Sequence, residues 1–179
     1  SPLSLVIEPD YGTAAAQALF NAVYDYWTAL PNDKRPRLYL SGLSLGAHAS
    51  QASTQFFDII SDPINGALWV GPPFTSPIWR WATANRAAGS PAWLPQFGDG
   101  SSIRFANRGH ELASPATRWG PLRVAFLQYP SDPIVFFDIN SWYREPEWMR
   151  GERGPGVPND LGWYPVVTFL QLAMDMALS

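Results

Sequence analysis

The chain has 179 residues, 46% of them hydrophobic and 15% charged, which is enough apolar material for one sizeable core, so a single globular domain over residues 1–179 is expected and general disorder is not. A net charge of −3, with twelve Lys and Arg in no run, excludes an electrostatic footprint for nucleic acid. The lack of cysteine removes disulfides, thiolate metal sites and thiol nucleophiles together, and no apolar stretch reaches the ~18 residues of a membrane-spanning helix.

From the N-terminus, Thr13 to Leu30 places Ala16, Leu19, Phe20, Val23, Tyr26, Trp27 and Leu30 at three- and four-residue spacing, with Thr13 as N-cap and Pro31 as stop. This predicts an amphipathic helix. A polar turn, 32–36, leads into a buried parallel strand at Arg37 to Gly42. After Gly46 a second helix is expected through Ala47, Ala49, Ala52, Phe56, Phe57 and Ile60, ending at Asp62-Pro63. Gly66 to Gly71 reads as a second strand, closed by Pro72-Pro73. The Pro-, Gly- and Trp-rich stretch from Phe74 to Gly120 holds one expected short helix, near Ile78 to Ala88, and otherwise reads as an irregular, functional loop region. Leu122 to Tyr129 gives a third strand, ended by Pro130-Ser131-Asp132-Pro133, and an apolar helix is expected from Val166 to Met176. Strands alternating with helices predict an α/β fold, a parallel sheet with helices on both faces.

Gly42-Leu43-Ser44-Leu45-Gly46 is a G-x-S-x-G pattern. Five residues are weak evidence alone, but a buried strand enters this one and a helix leaves it, the context that a nucleophile elbow requires. A serine in such a turn is held in a strained conformation, with its hydroxyl pushed clear of the backbone, and small neighbours let strand and helix approach. The N–H of Leu45, at the positive end of the following helix, would face the oxyanion formed when Ser44 attacks a carbonyl. The pattern also fits a Gly-flanked turn without chemistry.

The order of a triad on such an elbow is serine, acid, histidine, with the acid after a later strand. Asp132 occupies that slot, at the carboxyl edge of the sheet where Ser44 also emerges; it fits an Asp-Pro turn former equally. Asp138 is a second candidate, deeper in an apolar run. Only His48 and His110 are present, and both precede Asp132. His48, one helical turn beyond Ser44, suits packing better than base chemistry. His110 lies in the loop 108–111.

Taken together, Arg37 to Ala47, Gly66 to Phe74, Gly89-Ser90-Pro91, Arg104-Phe105, Leu127 to Val135 and Gly162 to Asp175 resemble the C-terminal part of a family of actinobacterial α/β-hydrolase membrane proteins, whose membrane-spanning helices precede the hydrolase domain. The likeness covers nearly the whole chain. It implies Ser44 as nucleophile, Asp132 as acid, a partial α/β-hydrolase fold, and a histidine in a Gly-rich segment after the last helix that matches nothing here. The expectation is therefore a soluble fragment, truncated at both ends, of a membrane-associated parent.

Two functions follow as expectations. The first is a serine ester hydrolase or acyltransferase acting on an apolar acyl ester through a Ser44 acyl-enzyme, with this fragment inactive alone. The second is a catalytically idle interaction domain of a cell-envelope membrane protein. No cofactor, metal or nucleotide site is expected. Expected partners are the substrate, the missing half of the same domain or a second copy, and a membrane reached through segments outside the chain.

Overall fold

The computed structural model describes residues 9–54, 62–107, 112 and 117–178. Helix α1 (Pro9–Ala29) precedes strand β1 (Tyr39–Leu43); α2 (Leu45–Ser53), β2 (Gly66–Val70), α3 (Pro77–Ala84), β3 (Ile103–Ala106), β4 (Arg123–Leu127), the one-turn helix α4 (Pro133–Phe136) and α5 (Val167–Leu178) follow. Two 3-10 turns, Ile139–Trp142 and Glu147–Met149, lie between α4 and α5. The described strands form one sheet, all parallel, in the order β1-β2-β4-β3. The fold class is thus the α/β arrangement that the alternation of elements predicts.

Register explains which face is dry. Leu40 and Gly42 align with Ala67 and Trp69, and these with Val124 and Phe126. On this face Trp69, Phe105 and Phe126 stack at 4.9–5.4 Å between ring centres, covered by Ala47 of α2 and Ala82 of α3. Each such aromatic contributes roughly 1.5–3 kcal/mol by leaving water. The opposite parity, Tyr39, Ser41 and Leu43 with Leu68, is exposed: Leu43 by 69%, Tyr39 by 49% and Leu68 by 43%. Both ends of the sheet are edge strands, but they differ. Among the described residues β1 has no outer neighbour and alternates between exposed and half-buried positions, whereas all four residues of β3 are buried.

Strand β3 corrects the reading of Phe74 to Gly120 as irregular apart from a helix. Its Arg104, though charged, is buried: Nε donates to Gly100 O at 2.7 Å, Nη1 to Leu112 O at 2.6 Å and Nη2 to Thr117 O, with the guanidinium 4.0 Å over the Trp119 ring. Three carbonyls and one π-face replace the carboxylate that a buried arginine usually takes.

Helix α1 begins four residues before the expected Thr13 cap and stops two before Pro31. Its buried stripe is Phe20, Tyr24 and Trp27, against Ile64, with rings stacked at 5.3 and 5.9 Å. Leu19, Val23 and Tyr26, expected on that stripe, are exposed instead. Beyond the end of this helix Arg35 donates to Thr28 O at 2.6 Å and pairs with Asp62 at 2.6 Å. The second expected helix ends at Ser53, and its expected continuation through Phe56 to Ile60 lies outside the described residues.

Candidate active site at the carboxyl edge of the sheet

Ser44 stands between β1 and α2 with φ 53° and ψ −120°, a conformation that residues other than glycine rarely adopt and that costs of order 1–3 kcal/mol. The surroundings fix it there. Its N–H donates to Val70 O at 2.9 Å, and its carbonyl accepts from Ala47 N at 2.9 Å and His48 N at 3.1 Å. The chain is therefore pinned to the end of β2 on one side and to the first turn of α2 on the other, and it must reverse at Ser44.

The two glycines of the motif are not equivalent. A Cβ on Gly42 would stand 2.5 Å from Gly46 C and O and 2.6 Å from Ala47 N, all backbone. A Cβ on Gly46 would meet nothing within 4 Å. Only Gly42 therefore sets how closely strand and helix approach, where the sequence reading gave that role to both. Leu45 opens α2, so its N–H is among those without a partner inside the helix. That N–H and the helix's positive end lie next to Ser44.

Asp132 is carried by the segment after β4. Its Oδ1 accepts from Ile134 N at 2.9 Å, so the carboxylate caps α4, with Pro133 at the first helical position. The other oxygen, Oδ2, lies 3.3 Å from where a Cβ of Gly71 would be, and Gly71 itself takes φ +53°. Ser44 N bonds Val70 O, so both candidate residues flank the Val70–Gly71 segment at the end of β2. β1 and β4, which deliver them, are two strand spacings apart, about 10 Å. Burial pushes the Asp132 carboxyl up from its ordinary value, and the N–H groups of Ile134 and Val135 partly offset this. Asp138, the alternative, caps the next 3-10 turn instead, accepting from Asn140 N at 2.8 Å.

The raised carboxyl has a measurable sign. A native state whose Asp132 holds its proton more tightly than the unfolded chain binds more protons just above the ordinary carboxylate range, so stability falls as pH rises through that window. Asparagine keeps the capping oxygen and lacks the charge. Asp132→Asn should therefore melt above the parent at pH 7, with the gap closing as pH falls toward about 4, in thermal unfolding followed by circular dichroism.

His48 is half-buried, and its Nδ1 lies 3.5 Å from Ser76 Oγ, a weak contact. Ser76 is buried at the start of α3. Desolvation lowers the His48 pKa. The folded chain thus binds fewer protons there than the unfolded one, and the associated stability is present above about pH 6.5 and is lost as pH falls below it. His48→Gln should flatten the parent's loss of melting temperature between about pH 6.5 and 5. His110 lies outside the described residues. Among the described residues no histidine is paired with Asp132.

Sequence reasoning missed a polar net behind the sheet edge. Buried Gln128, which follows β4, accepts from Trp79 Nε1 at 2.7 Å and donates to Trp93 O at 3.0 Å, and Gln51 accepts from Trp79 N at 2.9 Å. Two glutamines at strand and helix ends offered no pattern by which to find it.

Among the described residues no group of three His, Cys, Asp or Glu is placed to hold a metal ion, and no helix is long and apolar enough to cross a membrane. Neither a curated protein nor a solved structure matches the chain. The sequence profile of the alpha/beta-hydrolase family matches residues 1–179. With that match, and with a parallel α/β sheet beneath it, the chain belongs to the alpha/beta-hydrolase family.

Proposed function

We propose that this chain carries the nucleophile of a serine ester hydrolase or acyltransferase acting on an apolar acyl ester. The observation that supports this most directly is the strained Ser44 between β1 and α2, held where Gly42 leaves no room for a side chain. Membership of a hydrolase family points the same way. In the reaction Ser44 Oγ adds to the ester carbonyl while its proton passes to a histidine, and the Leu45 N–H holds the oxyanion. The C–O bond to the leaving alcohol breaks as the histidine returns the proton. Water or a second alcohol then releases the acyl group from Ser44.

Asp132 takes the part of the acid that orients the histidine. The two-strand separation from Ser44 is one that an interposed imidazole, hydrogen-bonded at each end, can span. His48, turned to Ser76, is not that base, and we place it on a histidine outside the described residues. Among the described residues β1 has no outer neighbour, and this, with the exposed Leu43 and Leu68, supports a further part of the reading: this chain is the C-terminal portion of its domain and packs against further strands or a second copy. Membrane attachment of an actinobacterial parent rests on the sequence resemblance alone.

A second reading is a catalytically idle interaction domain, favoured by the absence of a histidine paired with Asp132 among the described residues. One experiment separates the two. The chain, a version extended at both ends, and the extended version with Ser44→Ala are treated with an alkyl fluorophosphonate. Labelling of the extended protein that disappears with Ser44→Ala supports the hydrolase; no labelling of folded, extended protein supports the interaction domain.

A further inference from the structure

Helix α5 lies largely in water: of its twelve residues only Thr168 is buried, and Asp175 is its one charged residue. Two side chains fasten it to the body. Thr168 Oγ1 accepts from Tyr164 N at 2.8 Å, and the Phe169 ring stands 5.5 Å from that of Phe137. On the opposite side of the helix Val167, Leu170, Met174 and Leu178 recur at three- and four-residue spacing, each more than half exposed. Gln171 and Asp175 fall to one flank of this stripe. Trp142, Tyr143 and Tyr164, more than half exposed as well, border its N-terminal end.

Val166, where the aromatic residues meet the stripe, has φ 65°. A β-branched residue is an outlier there, whereas glycine takes that conformation without strain. Its N–H donates to Trp142 O at 3.0 Å and its carbonyl accepts from Leu170 N at 2.9 Å, so the conformation is enforced from both sides. The side chain gained for this strain is left half in water. Within one copy glycine would serve better; across an interface the valine has something to touch. The surface is also large enough. At roughly 100 Å² of exposed area for each of these apolar side chains it comes to about 800 Å², the share that each partner of a standard interface buries. Monomers rarely carry apolar patches above about 600 Å².

We propose that α5 is a homodimer interface, in which two copies pack antiparallel along the Val167–Leu178 stripe about a two-fold axis. Leu170 of one copy then meets Met174 of its partner, and Val167 meets Leu178, because an antiparallel pairing centred on the stripe returns each residue to an apolar one. An isologous contact must fit itself, and this face does: it brings no like charges together, Asp175 stays on the flank, and the two helix dipoles oppose. Tyr, Trp and Met with little charge is also the composition of interface cores. A bilayer is the poorer occupant, since α5 has no Lys or Arg to meet lipid phosphates. The face is separate from the β1 edge and does not rest on Ser44 as nucleophile, so Ser44→Ala should dimerise as the parent does.

The test is sedimentation equilibrium of the chain over concentrations of roughly 1–200 μM, where a monomer–dimer equilibrium with a micromolar Kd is expected. Leu170→Glu, at an exposed position, sets like charges beside the two-fold axis and should weaken the dimer at least about thirtyfold, with the parent's far-UV dichroism. Tyr39→Lys, on exposed β1, should dimerise as the parent does. Val166→Gly should weaken the dimer about fivefold while the urea midpoint of dilute, monomeric protein rises, a pairing that a merely structural valine would not give. If Leu170→Glu misfolds, Val166→Gly decides. A version extended at both ends should dimerise too. The proposal is overturned by a parent that stays monomeric, whether or not it floats with phosphatidylcholine vesicles, or by an extended protein that stays monomeric, which would give the stripe to a further segment of the same chain. Full dimerisation of folded Leu170→Glu or of Val166→Gly, or loss of the dimer in Tyr39→Lys, overturns it equally.

Discussion

Gly42→Ala should lower the melting temperature by roughly 10 °C, while Gly46→Ala, four residues on in the same motif, should raise it by a few degrees. The added carbon at position 42 lands 2.5 Å from backbone atoms of Gly46, and backbone held by the first turn of α2 cannot step aside as a flexible side chain can. Separating β1 from α2 enough to admit it also disturbs Ser44, whose carbonyl accepts from the same turn. A loss of about 2–4 kcal/mol is expected. At position 46 the new methyl meets no neighbour, and replacing a helical glycine by alanine removes backbone freedom from the unfolded chain, worth about 0.5–1 kcal/mol. Urea unfolding of both variants beside the parent measures the difference. Equal effects at the two positions would mean that the approach of strand to helix is not what Gly42 secures.

At Ser44 chemistry and stability should separate. With Ser44→Ala, ester turnover by a competent form of the protein should fall by about 10^4- to 10^6-fold, the scale on which removal of a serine nucleophile acts. Its melting temperature should stay close to the parent's, because the Cβ that makes φ 53° costly is still there. Ser44→Gly should be equally inactive and more stable, by about 1–2 kcal/mol, since glycine takes that conformation freely. Paired measurements of turnover and denaturant midpoint check this. A Ser44→Gly variant no more stable than Ser44→Ala would show that the turn is not strained, and would remove the observation on which the nucleophile assignment chiefly rests.

The parts of the fold legible in the sequence are those marked by unbroken apolar runs with clear ends. β1, β2 and β4 appear as short apolar runs bounded by turn residues, and their ends fall within two residues of the observed ones. β3 was hidden for two reasons. It is four residues long, and Arg104 interrupts its apolar run with a residue type expected in water. Only the folded loop supplies the carbonyls and the Trp119 ring that make its burial tolerable.

The strand, turn and helix around Ser44 were legible because their requirement is local: all three fall within a dozen residues. Asp132 was legible as a residue but not as a role, since Asp-Pro describes both a turn and a helix start, and the structure shows the start of α4. That its free oxygen looks toward Gly71 depends on pairing between strands far apart in sequence. The exposure of Leu19, Val23 and Tyr26 was illegible for the same reason: α1 presents apolar residues on more than one side, and only its neighbours decide which side is covered.

Among the described residues one end of the sheet is β3, all of it buried beside the loop that Arg104 holds, and the other is β1, with no outer neighbour. Among these residues it is β1 that leaves an edge for a further strand. Any strand that joins it hydrogen-bonds to Tyr39–Leu43, and the next residue along that strand is Ser44. The open edge of the sheet and the strained Ser44 thus share one strand, so on the proposed reading a strand added there reaches the candidate nucleophile through its own backbone.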